Sequence, residues 1–340
     1  MQANSSLKTA AKPSKVLVAG AGSIGLRHAR LWAELPGVEV SVCDSSAEAI
    51  EQAKDKLPEI TYWSDFEKAL SSGPEVVVVA TPHGSHASLS CRAMQAGADV
   101  LCEKPMSLDL ASSREMESAA AATGRIFRVG FVNRFHPGLK KLKKMWMGGL
   151  LGQPMHIQYT VGAYETLPNS RSRYQSTLPG ALVMDYVHGL DLILWLGGMH
   201  PAGIYARGVQ GGAFPLSSPP NLCNAILDYN TAFLAGIHLD YAMGPTRANI
   251  EVIGDLASAG SGLLDGSFWI RERERDRTTE QQLRFERDDM FREQIQDFLV
   301  ARSGGEGAGC TAAEGCVSTE LMEVFLQSLR ENQRIPISQP

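Results

Sequence analysis

The chain has 340 residues, 44% of them hydrophobic and 20% charged, with a net charge of −5. That length accommodates two domains with a core each, and the near-balanced charge makes no electrostatic case for nucleic acid. No apolar run reaches membrane-spanning length, and the six cysteines (Cys43, Cys91, Cys102, Cys223, Cys310, Cys316) form no Cys-x-x-Cys pair, which reads as buried thiols in a reducing cytoplasm.

Residues 1–14 lack a hydrophobic segment and are expected to form a flexible tail. A first strand is expected over residues 15–20, where an apolar run meets Gly20, Gly22 and Gly25 in Gly-x-Gly-x-x-Gly spacing, with Ser23 and Ile24 opening a helix. Gly20 allows a sharp turn, Gly22 lets a pyrophosphate approach the backbone, and Gly25 lets the helix press on the sheet. The N–H groups at that helix start, with the helix dipole, then face the phosphates. Three glycines after a strand can also be a tight turn and nothing more. What favours a dinucleotide is Asp44, at the end of a second strand over residues 38–43. A carboxylate there accepts both ribose hydroxyls of NAD and repels a 2′-phosphate. Ser45 and Ser46 supply no cation for such a phosphate, so NAD is favoured over NADP.

Strands over 75–80, 99–102 and 126–131 alternate with helices such as 85–96 and 110–122, ended near Gly97 and Gly124. The alternation predicts a doubly wound parallel sheet over residues 15–132. After the strand at 75–80 come Thr81, Pro82 and then His86. Open α/β sheets bind ligands at that edge, so this loop is expected to line the cofactor; a strand-ending turn with a helix-starting His is the other reading. The next strand ends in Cys102-Glu103-Lys104-Pro105. Here proline fixes the local turn and favours a cis peptide, and Lys104 can donate to a substrate oxygen and favour its alkoxide form, or be a surface lysine.

Past residue 131 a helix over 137–147 precedes strands at 155–161, 225–229, 232–239, 249–253 and 267–271, an antiparallel or mixed sheet. Lys140, Lys141, Lys143 and Lys144, opposite Leu139, Leu142 and Trp146, read as a solvated helix face rather than a membrane-surface helix. The alternating-charge run at 271–277 is expected as a solvated strand. A helix over 182–196 carries Asp185, His188 and Asp191 at three-residue spacing, on one helix face. Either carboxylate can orient the imidazole, and His188 can take a hydroxyl proton near neutral pH. A structural histidine is the plainer alternative, and the set lacks a zinc signature, so no metal is expected. In the loop 162–179, Tyr164, Arg171, Arg173 and Tyr174 are substrate candidates or ordinary exposed residues. Two further helices, over about 290–301 and 312–331, flank a Gly-rich loop at 303–309.

In sequence, residues 20–25, Ala80-Thr81-Pro82 with His86, Glu103-Lys104-Pro105, Gly130-Phe131 with Arg134-Phe135-His136-Pro137, and Gly180-Ala181-Leu182 leading to Asp185, His188 and Asp191 resemble the Gfo/Idh/MocA family. The family is named for glucose-fructose oxidoreductase, inositol dehydrogenase and a rhizopine-catabolism protein. The likeness covers most of residues 15–336. It implies a Rossmann domain over 15–132 and a C-terminal α/β domain over 133–336 with a large, mostly antiparallel sheet, the C-terminal helices able to pack back on the first domain. The open sheet of such proteins often makes subunit contacts, so a homodimer or homotetramer is expected. The resemblance also implies that Lys104 and His188 sit beside the nicotinamide, His188 as general acid/base and Lys104 polarising the substrate oxygen. Asp185 would assist them, and Arg134 and His136 would reach the pocket. One departure stands out: many members have Asp-x-x-x-His, whereas Asp185 and His188 have the shorter Asp-x-x-His.

The expectation is therefore a cytoplasmic NAD-dependent dehydrogenase oxidising a secondary hydroxyl of a carbohydrate, sugar derivative or cyclitol, with no nucleic-acid or membrane partner. An NAD-dependent glycosidase using transient sugar oxidation and a non-catalytic dinucleotide- or sugar-binding regulator are the alternatives.

Overall fold

The computed structural model describes residues 13–169, 174–214, 217–275 and 277–337. The expected N-terminal tail, apart from Pro13 and Ser14, and the candidates Arg171 and Arg173 lie outside the described residues. By its internal contacts the chain divides into two units, one running to Val132 and taking in Glu286–Thr319, the other formed by Asn133–Phe285 and the residues from Glu320.

In chain order the strands are β1 (Lys15–Ala19), β2 (Glu39–Cys43), β3 (Thr61–Trp63), β4 (Val76–Val79), β5 (Asp99–Cys102), β6 (Phe127–Val129), β7 (Pro154–Gly162) and β8 (Gly203–Val209). They continue as β9 (Leu222–Asp228), β10 (Leu234–Asp240), β11 (Arg247–Gly254), β12 (Ala257–Gly262), β13 (Ser267–Glu272), β14 (Arg277–Gln282), β15 (Cys310–Thr311) and β16 (Ile335–Pro336). The helices are α1 (Ser23–Ala33), α2 (Ala47–Lys54), α3 (Phe66–Ser71), α4 (His86–Gln95), α5 (Leu110–Thr123), α6 (Pro137–Met147), α7 (Thr166–Asn169), α8 (Ala181–Asp185), α9 (His188–Gly197), α10 (Arg287–Arg302) and α11 (Ala312–Glu331).

The first unit holds a seven-stranded sheet in the order β15-β6-β5-β4-β1-β2-β3, parallel except for β15. Its central strands are apolar on both faces, and all four valines of β4 are fully buried, as a sheet covered by helices on both sides requires. Within this unit α10 covers α1 through edge-on pairs, His28 with Phe291 and Trp32 with Phe298.

The second unit is built on a nine-stranded sheet, β14-β13-β12-β11-β7-β10-β9-β8-β16, in which only β7 and β10 run parallel. One face is buried through Ile157, Tyr159, Ala225, Leu227, Ile237 and Val252, with α9 on β7 and α6 on β12. The opposite face leaves Tyr205, Ile226 and Leu234 exposed on neighbouring strands.

Two expectations change. The charged run at 271–277 is not one strand: β13 ends at Glu272 and the chain turns, with the Arg273 amide donating to Leu256 and Arg275 pairing with Glu272, before β14 leaves at Arg277. Alternation of charge reports a solvated surface whether the chain continues or reverses. The helix over 182–196 is broken after Asp185, where Tyr186 leaves helical geometry (φ −107°, ψ 25°), and α9 begins at His188. Among the described residues no helix is long and apolar enough to cross a membrane, and all six cysteines are free.

Candidate functional site

The glycine turn after β1 is shaped by three different steric demands. Gly20 has φ +109°, and a Cβ there would lie 2.4 Å from the Ala80 carbonyl oxygen. At Gly25 a Cβ would lie 1.9 Å from the Gly20 oxygen, so only glycine lets α1 start this close to β1. At Gly22 a Cβ would meet nothing within 4 Å, so the protein's own packing does not call for glycine there. Gly22 caps α1 without a side-chain acceptor, which leaves the N–H groups of Ser23, Ile24 and Gly25 at the open end of the helix. The free space and the uncapped donors fit a pyrophosphate.

Asp44 follows β2 directly. Its Oδ2 accepts from the Ala21 amide at 2.8 Å and its Oδ1 from the Ser46 amide at 2.9 Å, so the carboxylate is fixed against the glycine turn. Ser45 is exposed beside it, while Ser46 caps α2 by accepting from the Ala49 amide.

The loops after β4 and β5 are joined by a residue expected at the cofactor. His86 is fully buried, with Nδ1 2.9 Å from the Pro105 oxygen and Nε2 2.9 Å from the Thr81 oxygen. It is a strut between loops instead of a surface contact, because it opens α4 facing the sheet. The Thr81 hydroxyl accepts from Ser85, and Pro82 is exposed. Lys104 is half-buried and its peptide bond to Pro105 is cis. Before it, the Glu103 carboxylate lies 2.8 Å from Nε2 of the buried His28 and accepts from the Lys104 amide at 3.3 Å. Burial pushes the Glu103 carboxyl up, but the hydrogen bond and charge of His28, with Lys104, hold it below the ordinary carboxylate range. The sequence reading missed His28. Its position three residues past Gly25, on the face of α1 shared with Gly25 and Trp32, was the available signal.

In the second unit Asp185 is the hub of a polar cluster. Its Oδ1 accepts from the Tyr174 hydroxyl, and its Oδ2 from the Tyr241 hydroxyl at 2.5 Å and the Gln175 amide at 3.1 Å. Burial first, and then the neighbouring Asp185 carboxylate, push both tyrosines far above their ordinary range. Tyr186 hydrogen-bonds Thr166 at 2.8 Å and packs 5.9 Å from the Tyr241 ring. Tyr241 and Gln175 carried no motif and were not anticipated.

His188 is half-buried and is the first residue of α9. Gly189 lets that helix close on the sheet, since a Cβ there would lie 2.4 Å from the Tyr159 ring. Asp191, considered as a partner for His188, is fully buried and is gripped by Arg134: Nε donates to both carboxylate oxygens at 3.2 and 3.0 Å, and a terminal nitrogen donates at 2.6 Å. Arg134 is itself 2% exposed and His136 1%, so both are interior residues. His136 caps α6 by accepting from the Gly138 amide at 3.2 Å and packs against Phe285; burial lowers its pKa to about 4, against an upward pull from Asp265. A charged or polar residue that follows a strand reads alike from sequence whether it faces a ligand or the interior. Tyr164 is 46% exposed and stacks edge-on with Phe214.

Residues 14–131 match the model described as an oxidoreductase family with an NAD-binding Rossmann fold, and residues 139–259 match the GFO/IDH/MocA C-terminal domain. Inositol 2-dehydrogenase 2 of Mycolicibacterium vanbaalenii is 30% identical over 264 residues, which is 73% of this chain and 72% of the relative. The crystal structure of myo-inositol 2-dehydrogenase from Lactobacillus plantarum superposes with a TM-score of 0.81 at 21% identity, covering 96% of this chain and all of that one. UDP-N-acetylglucosamine 3-dehydrogenase GnnA from Acidithiobacillus ferrooxidans gives a TM-score of 0.80 at 22% identity, covering 94% of this chain and 98% of that one. With a Rossmann unit carrying an uncapped glycine turn and a second unit on a mostly antiparallel sheet, the chain belongs to the Gfo/Idh/MocA family of oxidoreductases.

Proposed function

We propose that this protein is an NAD-dependent dehydrogenase that oxidises a secondary hydroxyl of a cyclitol, sugar or sugar derivative. The observation that carries the reading is the glycine turn with its anchored carboxylate: open space at Gly22, uncapped amides at the start of α1, and Asp44 fixed by Ala21 and Ser46. The amides of residues 23–25 would hold the pyrophosphate, and Asp44 the ribose hydroxyls, with Ser45 offering no charge to a 2′-phosphate. The nicotinamide, when bound, supplies the hydride acceptor.

A secondary hydroxyl does not ionise at neutral pH, so hydride loss needs a base at its proton. His188 takes that role. Lys104 donates to a substrate oxygen and stabilises the negative charge that develops on it. Asp185, with both oxygens already held by Tyr174, Tyr241 and Gln175, acts as a fixed carboxylate that orients substrate or base. Inositol and sugar-nucleotide dehydrogenases among the similar proteins support the substrate class. We place a second copy of the chain on the open face of the nine-stranded sheet, at Tyr205, Ile226 and Leu234, and the protein itself in the cytoplasm, where its thiols stay reduced.

The test is NADH formation from NAD by the purified protein across inositols, aldoses, uronates and nucleotide sugars, with Lys104→Ala, His188→Ala and Asp44→Ala alongside. Loss of turnover by about 100-fold or more in the first two, and weaker NAD binding in the third, is expected. Tight NAD binding without net NADH from any of these substrates overturns the dehydrogenase reading, and release of aglycone from aryl glycosides would then identify a glycosidase.

A further inference from the structure

His86 makes two contacts that a neutral imidazole cannot satisfy together. Nδ1 and Nε2 each lie 2.9 Å from a backbone carbonyl oxygen, those of Pro105 and Thr81. Carbonyl oxygens only accept, and a neutral ring carries one N–H, so one of the two contacts would set a nitrogen lone pair against an oxygen lone pair. The imidazolium donates at both ends. We propose that His86 is a buried imidazolium that ties the loop after β4 to the loop after β5 and so positions Lys104 for catalysis. The inference rests on the dehydrogenase reading only for its catalytic part; the charge state of the ring stands on geometry alone.

The two carbonyl oxygens are what suit a cation here. Titratable groups facing the ring are the Cys102 thiol on β5 and His83, whose ring lies edge-on at 5.7 Å from the turn before α4. Burial pulls the imidazole down, but Cys102 and the two carbonyls outweigh it and raise it to about 9. The strut grips Pro105, the residue after Lys104, while the residue before, Glu103, is held by His28. Lys104 thus lies between two residues anchored by buried histidines, one on α1 and one on α4. His86 touches neither substrate nor cofactor in this scheme; it is a positioning residue.

The decisive measurement is the ring-nitrogen NMR spectrum of the full-length protein labelled with 15N-histidine, with His86→Gln identifying the signal among the eight histidines. Both ring nitrogens are expected to carry protons at pH 7.5 and one proton to be lost near pH 9. A neutral tautomer at pH 7.5 overturns the proposal whether or not a substrate is known. His86→Gln should lower kcat by about tenfold or more while changing KM and NADH affinity by less than about threefold, the signature of a displaced catalytic group. A protonated ring with kcat unchanged in the variant would remove the positioning role. Should the variant not fold, through-bond assignment of the wild-type ring from the His86 backbone identifies the signal and still decides the charge, and wild-type kcat should fall as pH rises through about 9 with NADH affinity holding; a flat kcat there removes the positioning role.

Discussion

The buried pair Arg134 and Asp191 offers the sharpest test of how the second unit is held together. Both side chains are removed from water, at 2% and 0% exposure, and three N–H···O contacts between 2.6 and 3.2 Å join them. Asp191 lies three residues after His188 on α9, so the pair ties down the first turn of the helix that presents the proposed base. Asp191→Leu keeps a side chain of similar bulk but leaves a guanidinium buried without its carboxylate. Breaking a buried pair from one side costs about 3–5 kcal/mol, whereas replacing both partners with apolar residues is often neutral. At about 2–4 °C per kcal/mol for a unit of this size, Asp191→Leu should lower the thermal midpoint by about 10 °C. Arg134→Met with Asp191→Leu should regain most of that loss. The assay is thermal unfolding by circular dichroism at fixed pH and protein concentration, with both single variants and the double. A single-variant shift below about 2 °C, or a double variant as unstable as the two singles summed, would refute the claim that desolvated charge dominates this site.

The glycine turn yields a contrast within three residues. Gly22→Ala should leave the thermal midpoint unchanged, since its Cβ meets nothing within 4 Å, yet weaken NAD binding; Gly25→Ala should destabilise the fold, because its Cβ would lie 1.9 Å from the Gly20 oxygen. Calorimetric titration with NAD and a melting curve on each variant check this, and equal NAD affinity in Gly22→Ala would mean the space is not the cofactor's. His136 gives a pH dependence whose sign is fixed: its folded pKa of about 4 lies below the ordinary value of 6.5, so the unfolded chain takes up the proton first. The stability it contributes is full above about pH 6.5 and is lost as pH falls toward 4, on the order of 3 kcal/mol. His136→Asn, which keeps a capping acceptor for α6, should flatten that acid limb in denaturant titrations; an unchanged limb assigns the loss elsewhere.

Much of this architecture is legible in the chain because period and punctuation agree. The valine run of β4, the glycine after α5 and the Pro137 start of α6 each carry a local signal that tertiary packing does not override. Short elements such as β3, β15 and β16 exist only because a neighbouring strand pairs with them, and nothing in two or three residues announces that. The site divides in the same way. Gly20 and Gly25 are readable because close backbone approach dictates them, while Gly22 and Asp44 are marked by spacing alone, since nothing in the fold itself requires a glycine at Gly22. Arg134, His136 and His86 were legible as unusual residues at strand ends, but the side to which they turn is decided by packing. Tyr241 and Gln175, which hold Asp185, come from segments far apart in sequence and meet only in the fold.

The shorter Asp-x-x-His spacing finds a physical account in the break between α8 and α9. In a continuous helix, residues three apart are fixed relative to one another, and removing one position would swing the acid by about 100° around the axis. Here Tyr186 leaves helical geometry between them, so the helix does not dictate the placement of either. Each is set by its own neighbours: Asp185 by Tyr174, Tyr241 and Gln175, and His188 by a helix seated on Tyr159 through Gly189 and anchored by Asp191 on Arg134. Spacing along the chain is therefore the weaker constraint and local anchoring the stronger. On that argument Asp185 depends more on its two tyrosines than on its distance in sequence from His188.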